Sequence, residues 1–315
     1  MIGCHRTSSA RGASTSTTSS PSPTTTSTGW RTGTTGSPRP VRPSPSTPSP
    51  TSPAGSTRRT FSAARARTRP SRRLSRASAQ GILVGAVGSD ESEYDVLDTL
   101  SERNVDVSAV AETAAPTGAA YVFVDPEGEN RIGILPGANR TVDAAYLDRH
   151  VDRIRDGDVL LLQNEIPVGP VVSVLDRIAG DAARPTVILD PAPVSGVRPL
   201  LDHPAVDIVT PNEAEADALA AVLDSCPATV VRTHGREPVV VDDREVRVEP
   251  PAVETVDTTG AGDVFNGFLA TCLGRDDPLQ DAIETAATAA ALSVTGEGVQ
   301  QATPTMAAVR DAERS

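Results

Sequence analysis

The sequence contains no lysine, and its acidic residues are missing from the first quarter of the chain. Residues 1–80 hold 13 of the 29 arginines and no Asp or Glu, so residues 81–315 set 16 arginines against all 41 acidic residues, a formal charge of −25. Arginine in place of lysine, together with this acidity, indicates a GC-rich genome and a salt-rich cytosol, and therefore a halophilic protein. An acidic domain repels phosphates, which argues against nucleic-acid binding.

Cysteines and long apolar runs are equally scarce. Cys4, Cys226 and Cys272 lack the spacing of a metal site or a disulfide framework, as is typical of proteins in a reducing cytosol. No stretch approaches the roughly 20 apolar residues of a membrane span, and no apolar signal region follows the basic residues at the start. We therefore expect a soluble, cytoplasmic protein without a membrane partner.

Residues 1–80 form a low-complexity segment of mainly Ser, Thr, Pro, Gly and Arg, with few residues that could line a core. One interpretation is a disordered basic tail that touches anionic partners. Another is translation out of frame, because GC-rich codons for residues 62–80 can be re-read one base earlier as a glycine-rich loop followed by an amphipathic helix. Under either interpretation, the sequence predicts one folded domain over residues 81–315.

Within residues 81–315, short apolar runs alternate with amphipathic stretches. Continuous apolar strands separated by helical patterns favour a largely parallel sheet with helices on both faces, an α/β fold. Residues 117–135 differ from this pattern. Two β-rich runs flank the turn Pro126-Glu-Gly-Glu129, which predicts a hairpin that could form a small β lid over a site.

The strongest functional signal is Asp257-Thr-Thr-Gly-Ala-Gly-Asp263, between a strand-like run and a helical pattern. Gly260, Ala261 and Gly262 would place backbone amides at a helix N-terminus, where unpaired N–H groups and peptide dipoles favour an anion such as a transferring phosphate. Asp263 could accept the proton of an attacking hydroxyl. The alternative is a glycine-rich turn that ends in a structural N-cap.

This motif, followed by Phe265-Asn-Gly-Phe268, resembles the signature of the PfkB family of sugar kinases. Further tracts resemble that family in order and spacing over nearly all of residues 81–305: GAVGSD, TGAAYVFVDPEGENRIGILPGAN, LLLQNEIP, ILDPAP, DIVTPNEAEA, VRTHG and AALSVTGEGVQ. The tract from GENRI through QNEIP to DPAP resembles the ribokinase branch. The resemblance implies a ribokinase-like three-layer sandwich with a mostly parallel central sheet and a small β lid. It also implies ATP-dependent phosphorylation of D-ribose to D-ribose 5-phosphate with Mg²⁺ and K⁺.

The resemblance implies a role for each matching residue. Asp263 corresponds to the catalytic base, which also contacts the sugar, and Gly260, Ala261 and Gly262 correspond to the anion hole. Glu165 corresponds to a carboxylate that hydrogen-bonds the sugar. A solvated glutamate at a strand end is the alternative for that residue.

Other matching positions concern the nucleotide and the metal ions. The nucleotide-binding positions are Asn212, Thr233, Gly235, Gly262 and Ala287, with Glu215 near Mg²⁺. Asn212 could equally cap a helix, and His234 reads as an exposed loop residue rather than a ligand. The resemblance places a monovalent cation, usually K⁺, beside the anion hole, where oxygen ligands suit it. The matching cation positions are Asp257, Thr259, Ser293, Gly296 and Gly298, with Ala302 where a hydroxyl residue often lies.

Two departures from the family pattern concern the substrates. The sugar-binding Asp and the GGKGAN loop of the family's N-terminal region are absent from the written frame, and residues 216–229 leave no room for a helix that is usual there. Three alternatives stay open: a ribokinase, another PfkB-type kinase for a nucleoside or 2-keto-3-deoxygluconate, and an inactive relative that binds sugar or nucleotide. Ribokinases often dimerise through the lid, so the resemblance also implies a homodimer.

Overall fold

The computed structural model describes residues 2–7, 79–124, 130–242, 246–296 and 298–314. Its strands are β1 (Ile2–Thr7), β2 (Ala79–Gly88), β3 (Val105–Thr113), β4 (Ala119–Val124), β5 (Asn130–Leu135), β6 (Val159–Gln163), β7 (Thr186–Asp190), β8 (Ile208–Val209), β9 (Thr229–His234), β10 (Glu237–Val241) and β11 (Val246–Val248). Its helices are α1 (Glu91–Tyr94), α2 (Val96–Glu102), α3 (Ala144–Arg155), α4 (Val168–Ala179), α5 (Arg198–Leu201), α6 (Glu213–Leu223), α7 (Ala261–Leu273), α8 (Leu279–Ser293), α9 (Val299–Ala302) and α10 (Met306–Glu313), with a 3-10 helix at Gly137–Thr141.

Within the described residues, nine strands form a central sheet in the order β11-β10-β9-β8-β7-β6-β1-β2-β3. Strands β2 and β3 are parallel, and so are β6, β7, β8 and β9 in turn. Strand β1 is antiparallel to β2 and β6, and β10 is antiparallel to β9 and β11. Seven of these nine strands therefore run in one direction, which confirms the predicted mostly parallel sheet.

Helices cover both faces of the sheet, as the alternating side chains of β7 show. Val187 and Leu189 pack in a core with α3 to α6, while Ile188 between them packs with α7 and α8. Successive residues of a strand point to opposite faces, so a central strand covered on both sides reads as a continuous apolar run. This arrangement is the predicted three-layer sandwich. Truncation of the fully buried Leu189 to Ala would cost about 2–5 kcal/mol.

A strand precedes the predicted start of the folded domain. The sequence predicts no folded structure before residue 81, but β1 lies between β2 and β6, with Ile2 opposite both Val84 and Leu162. Strand β2 also begins two residues early, at Ala79. Composition missed these residues because a β ladder pairs backbone groups, which every non-proline residue carries. The interpretations of residues 8–78 as disordered or out of frame lie outside the described residues and stay predictions.

Strands β4 and β5 lie within residues 117–135, where the sequence predicts a hairpin. They form a separate antiparallel sheet with Ala119 opposite Leu135 and Tyr121 opposite Gly133. The predicted turn, residues 126–129, lies outside the described residues. The function of the hairpin as a lid stays a prediction.

The base of the hairpin is anchored at the end of β2. The Thr117 hydroxyl accepts from the Gly88 amide (2.9 Å) and donates to Asp90 Oδ1 (2.6 Å). A Cβ added at Gly88 would lie 2.2 Å from the Thr117 nitrogen, so only glycine permits this approach.

No helix in the described part of the chain is long and apolar enough to cross a bilayer.

Candidate active site

A tight turn leads the chain into helix α7. Gly260, immediately before the helix, has a φ of +77°, a left-handed conformation that glycine adopts without strain. Asp257 Oδ1 accepts from the Thr259 amide (2.9 Å), and the Ala261 amide donates to the carbonyl of Thr258 (3.2 Å). The motif that the sequence singles out is therefore a turn whose backbone is fixed by its own side chain and glycine.

The first turn of α7 offers amides to an anion. No side chain from the described residues caps this helix, and the amides of Gly262 and Asp263 lie where a helix has no carbonyl to pair with them. A Cβ at Gly262 would meet no described atom within 4 Å, so there is open space beside the turn. The Ala261 amide, by contrast, is engaged with Thr258 in this conformation. The arrangement suits an anion at the helix N-terminus.

Asp263 lies in this first turn, and solvent reaches its side chain. The surrounding protein nevertheless desolvates the carboxyl group and raises its pKa, while a hydrogen bond from the Gln163 side chain at the end of β6 lowers the pKa in part. The net pKa lies above the ordinary value. A carboxylate of raised basicity, held by a neighbouring side chain, can accept the proton of a hydroxyl group.

A second carboxyl group, Asp190, lies at the end of β7, directly opposite Gln163 in the sheet register. Its Oδ1 accepts from the Ala192 amide (3.0 Å), and its Oδ2 accepts from Asn266 Nδ2 of α7 (3.1 Å). The ends of the adjacent strands β6 and β7 thus contact Asp263 and Asn266, respectively. These two residues lie about one turn apart on the same face of α7.

The pKa of Asp190 also depends on the other acidic groups at this edge of the sheet. Burial raises the pKa of Asp190 to about 7, and the charges of Glu215, Asp263 and Glu165 add to that increase, while the Ala192 amide opposes it. Carboxylates from the ends of β6 and β7, from α6 and from α7 therefore share one electrostatic environment. A cation or a proton at this edge would relieve their repulsion.

Glu165 is presented by a braced loop. It follows β6 by two residues and is half-buried. Its neighbour Asn164 is buried, and Asn164 Nδ2 donates to the carbonyls of Pro193 (2.5 Å) and Ser195 (3.0 Å). The loop after β6 is thereby fixed to the loop after β7, which places Glu165 at the same sheet edge as Asp190.

Asn212 and Glu215 form a capping box at the start of α6. Asn212 Oδ1 accepts from the Glu215 amide (2.9 Å), and Glu215 Oε2 accepts from the Asn212 amide (3.0 Å). Asn212 also forms a parallel bridge with Thr233 in β9. Gly235 follows in an exposed turn with a φ of +62°. The structure thus brings Asn212, Thr233 and Glu215 together, and Gly235 lies just beyond.

Two predicted positions lie elsewhere than the sequence suggests. His234 is not an exposed loop residue: β9 extends through it, the residue is half-buried, and its Nδ1 lies 3.2 Å from the Pro238 carbonyl oxygen. Ala287, a predicted nucleotide contact, lies on the core-facing side of α8 and is only 3% exposed. The structure therefore does not bring Ala287 to a surface that a nucleotide could touch.

The predicted cation positions converge in part. The amides of Val256 and Asp257 donate to the Val294 carbonyl after α8 (2.7 and 3.3 Å), which holds the α7 turn against the end of α8. Hydrogen bonds from Thr259 and then from the Gly298 amide lower the pKa of Asp257. Asp257, Thr259 and Gly298 are thus neighbours, and an ionised carboxylate lies among them.

The remaining cation positions are less clearly assembled. A Cβ at Gly296 would lie 3.4 Å from the Cβ of Ala302, so these two residues are adjacent. Ser293 is buried, and its hydroxyl donates to the Ala290 carbonyl (2.8 Å) within α8. The Ser293 hydroxyl is therefore engaged, which leaves its carbonyl as the group that could face a cation.

The donors at this edge are oxygen atoms. Within the described residues, no three His, Cys, Asp or Glu side chains cluster tightly enough to hold a metal ion. Carboxylate and carbonyl oxygens suit the hard cations Mg²⁺ and K⁺, and Mg²⁺ commonly completes its shell with water and substrate phosphates. The residues present therefore fit a Mg²⁺ that shares its ligands with a nucleotide.

Three residues of the site escaped the sequence reasoning: Gln163, Asp190 and Asn266. Gln163 and Asp190 end adjacent strands, where the carboxyl ends of parallel strands commonly bear ligand sites. Asn266 is a polar residue on the face of α7 that is otherwise mostly apolar and buried. The strand ends and the polar residue in an apolar helix face were the sequence signals for these three residues. These signals do not show which of the residues contact one another.

Comparison with known proteins agrees with this geometry. The model of the pfkB family carbohydrate kinases matches residues 71–306. A ribokinase from Bacillus subtilis is 34% identical over 243 residues, which cover 73% of this chain and 80% of the relative.

Solved structures give the same result. A ribokinase from Thermotoga maritima has a TM-score of 0.65 at 29% identity, with 74% of this chain and 81% of that chain covered. A ribokinase from Arabidopsis thaliana in complex with ribose and ATP has a TM-score of 0.63 at 27% identity, with 73% and 80% covered. The chain therefore belongs to the pfkB family of carbohydrate kinases, phosphotransferases that act on a sugar hydroxyl.

Proposed function

We propose that this protein is an ATP-dependent ribokinase that transfers the γ-phosphoryl group of ATP to a hydroxyl of D-ribose and yields D-ribose 5-phosphate. The observation that carries the proposal is the position of Asp263, whose pKa is raised, in the glycine-framed first turn of α7. The similarity to ribokinases, one of them solved with ribose and ATP, supports this pair of substrates.

In the proposed mechanism, Asp263 accepts the proton of the attacking hydroxyl as the sugar oxygen bonds to the γ-phosphorus. The bond from the γ-phosphorus to the β–γ bridging oxygen breaks, and ADP leaves with that electron pair. The turn amides at Gly260, Ala261 and Gly262 stabilise the charge of the transferring group. Since the Ala261 amide binds Thr258 here, the Gly262 amide carries most of this role.

We assign the nucleotide to the surface formed by Asn212, Thr233 and Gly235. Asn212 and Thr233 are paired neighbours, and the exposed Gly235 turn leaves room for a phosphate or ribose of ATP. Glu215 would help to hold a Mg²⁺, which would neutralise phosphate charge. The family position Ala287 has no part in this proposal, because the side chain is buried in the core.

We assign a monovalent cation, K⁺ in the first instance, to the oxygen atoms around Asp257. The neighbouring ligands in this proposed cation site are Asp257, Thr259 and Gly298. The carbonyl groups of Ser293 and Gly296 would supply the remaining oxygen ligands. Since this region holds the α7 turn, a bound cation would order the anion hole. The acidic surface and the absence of lysine support activity in a salt-rich cytoplasm.

Glu165 is the proposed sugar ligand on the described side of the site. The family's other sugar-binding residues have no counterpart in this sequence. Two further candidate functions therefore remain: a kinase for a nucleoside or 2-keto-3-deoxygluconate, and an inactive relative that binds without turnover. The bonds of Asn164 place Glu165 at the same sheet edge as Asp190, where Glu165 could accept a hydrogen bond from a substrate hydroxyl.

A homodimer through the hairpin is part of the proposal. Tyr121, Ile134 and Leu135 are 53%, 45% and 57% exposed. The register places Tyr121 and Leu135 on one face of the hairpin and Ile134 on the other. Exposed apolar side chains on both faces of a two-stranded sheet support a contact with a second copy.

Sugar-dependent ADP production tests the function. The chain is assayed with Mg-ATP in high KCl against ribose, a nucleoside and 2-keto-3-deoxygluconate, beside a version whose residues 62–80 are re-read one base earlier. We expect turnover with ribose. Turnover with another acceptor would change the substrate, and melting shifts with ATP and ribose but without turnover would identify an inactive relative. If neither version produced ADP with any of the three acceptors, the kinase assignment would be contradicted.

A further inference from the structure

Two strand ends hold helix α7 at two points. At the end of β6, Gln163 hydrogen-bonds Asp263, and at the end of β7, Asp190 accepts from Asn266. Gln163 and Asp190 are opposite each other in the parallel ladder. Because residues three apart on a helix share a face, the two contacts lie side by side. They tie the first turns of α7 to the carboxyl ends of β6 and β7.

Stability alone does not favour the second contact, between Asn266 and Asp190. Asn266 is 3% exposed, and its Oδ1 has no hydrogen-bond partner among the described residues. A buried polar atom without a partner costs about 1–3 kcal/mol. Asparagine is also a weaker helix former than alanine or leucine. An apolar residue at position 266 would remove both costs, so packing does not explain the amide.

The charge of Asp190 adds to this cost. The carboxyl group is desolvated, and Glu165 after β6, Glu215 of α6 and Asp263 of α7 all disfavour its ionised form. Both Asp190 oxygens nevertheless accept hydrogen bonds, from Ala192 and from Asn266. A carboxylate with these bonds orients the Asn266 amide in a way that an apolar contact could not.

We infer that Asp190 and Asn266 are positioning residues for phosphoryl transfer: their hydrogen bond holds the first turn of α7 so that Asp263 meets the sugar hydroxyl. This inference rests on the proposed kinase function. Neither residue touches the reacting atoms. Their effect passes through the orientation of Asp263 and of its hydrogen bond with Gln163.

The inference predicts a separation of kcat from KM. In Asn266→Ala and Asp190→Ala, kcat should fall roughly 10- to 100-fold, because a misplacement of about 1 Å can cost that much, while the KM for ribose should change little. Asp190→Asn keeps an acceptor for the Asn266 amide and should recover part of the loss. Thr271→Val is the matched control, since it removes the bond from Thr271 to Gly267 (2.8 Å) on the same helix, far from the strand ends.

The titration of the Asp263 carboxyl, followed by carbon-detected NMR, gives a reading that does not need turnover. The Gln163 bond lowers the pKa of Asp263, so loosening of the turn in Asn266→Ala should raise that pKa, and Thr271→Val should leave it unchanged. If Asn266→Ala does not fold, Asn266→Leu serves in its place, because Asp190→Ala would also remove a charge that interacts with Asp263.

The outcomes are distinguishable. If the wild type phosphorylates no acceptor, the proposed function fails, and the Asp263 titration still decides whether Asn266 and Asp190 position the Asp263 carboxyl group. Wild-type kcat together with an unchanged Asp263 titration in Asn266→Ala would overturn the inference. Equal losses in Asn266→Ala and Thr271→Val, in proportion to melting temperature, would overturn it as well, because that is the result of a purely structural role.

Discussion

Two asparagine–carboxylate pairs lie at the same edge of the sheet, and they differ in how completely they are satisfied. Asn212 and Glu215 exchange three hydrogen bonds of 2.8–3.0 Å at the exposed start of α6. Asn266 and Asp190 share one bond of 3.1 Å in a buried position, and Asn266 Oδ1 has no partner among the described residues.

The difference separates a structural task from a task that structure does not explain. The Asn212 pair is a complete capping box, which accounts for both residues through helix stability. The Asn266 pair contains two features that each cost stability: an amide oxygen that is buried without a partner, and a carboxyl group whose pKa burial raises to about 7. The second pair therefore belongs with Asp263 on the chemical side of the site, and the first is primarily a helix start.

The largest effect is expected from Asp263→Asn, which sets the scale for both pairs. Loss of the base should lower kcat by about 10²- to 10⁴-fold. Stability should hold or rise slightly, because the substitution removes a carboxyl group whose ionisation the surrounding protein disfavours. Steady-state ADP production and thermal melting measure the two quantities. Activity within a few-fold of the wild type would remove Asp263 from the mechanism.

The sequence predicted one of these pairs more fully than the other. Asn212 and Glu215 are three residues apart, and local spacing is enough to indicate a cap. Asp190 and Asn266 are 76 residues apart, so no local pattern could pair them, and β1 escaped prediction for the same reason of non-local backbone pairing. The mostly parallel sheet with helices on both faces followed from periodicity, whereas the burial of Ala287 depends on which face of α8 packs on the sheet.

The pH dependence of stability gives the next test. Since folding raises the pKa of Asp190 from about 4 to about 7, the folded state holds a proton that the unfolded state has lost in this range. The contribution of Asp190 to stability is therefore present at low pH and is lost as pH rises from about 4 through about 7. Asp190→Asn should become progressively more stable relative to the wild type across this window.

Melting temperatures of the wild type and Asp190→Asn in EDTA, from pH 4 to 8, measure that difference. Asp98→Asn, at an exposed position on α2, is the matched control and should follow the wild type. A difference between Asp190→Asn and the wild type that does not vary with pH would show that Asp190 titrates normally in the folded protein.

A smaller effect is expected at the capping box. Asn212→Ala should lower the free energy of unfolding by about 1 kcal/mol through loss of the N-cap, whereas Asn212→Asp should keep the cap. If Asn212 also contacts the nucleotide, the KM for ATP should rise in both variants, independently of stability. Chemical denaturation and ATP titration separate these roles. An unchanged KM for ATP in both variants would leave Asn212 as a cap alone.

The smallest effect on stability is expected from Glu215→Gln. Glutamine at this helix position also completes a capping box, so the free energy of unfolding should stay within about 0.5 kcal/mol of the wild type. The charge is lost, however, and the Mg²⁺ concentration for half-maximal activity should rise by less than about tenfold if Glu215 acts near the metal. Glu213→Gln, in the same exposed turn, is the control. Because Glu215 raises the pKa of Asp190, that pKa should fall in Glu215→Gln, which would connect the two asparagine–carboxylate pairs through charge. An unchanged Mg²⁺ requirement together with an unchanged Asp190 titration would show that the two pairs are independent.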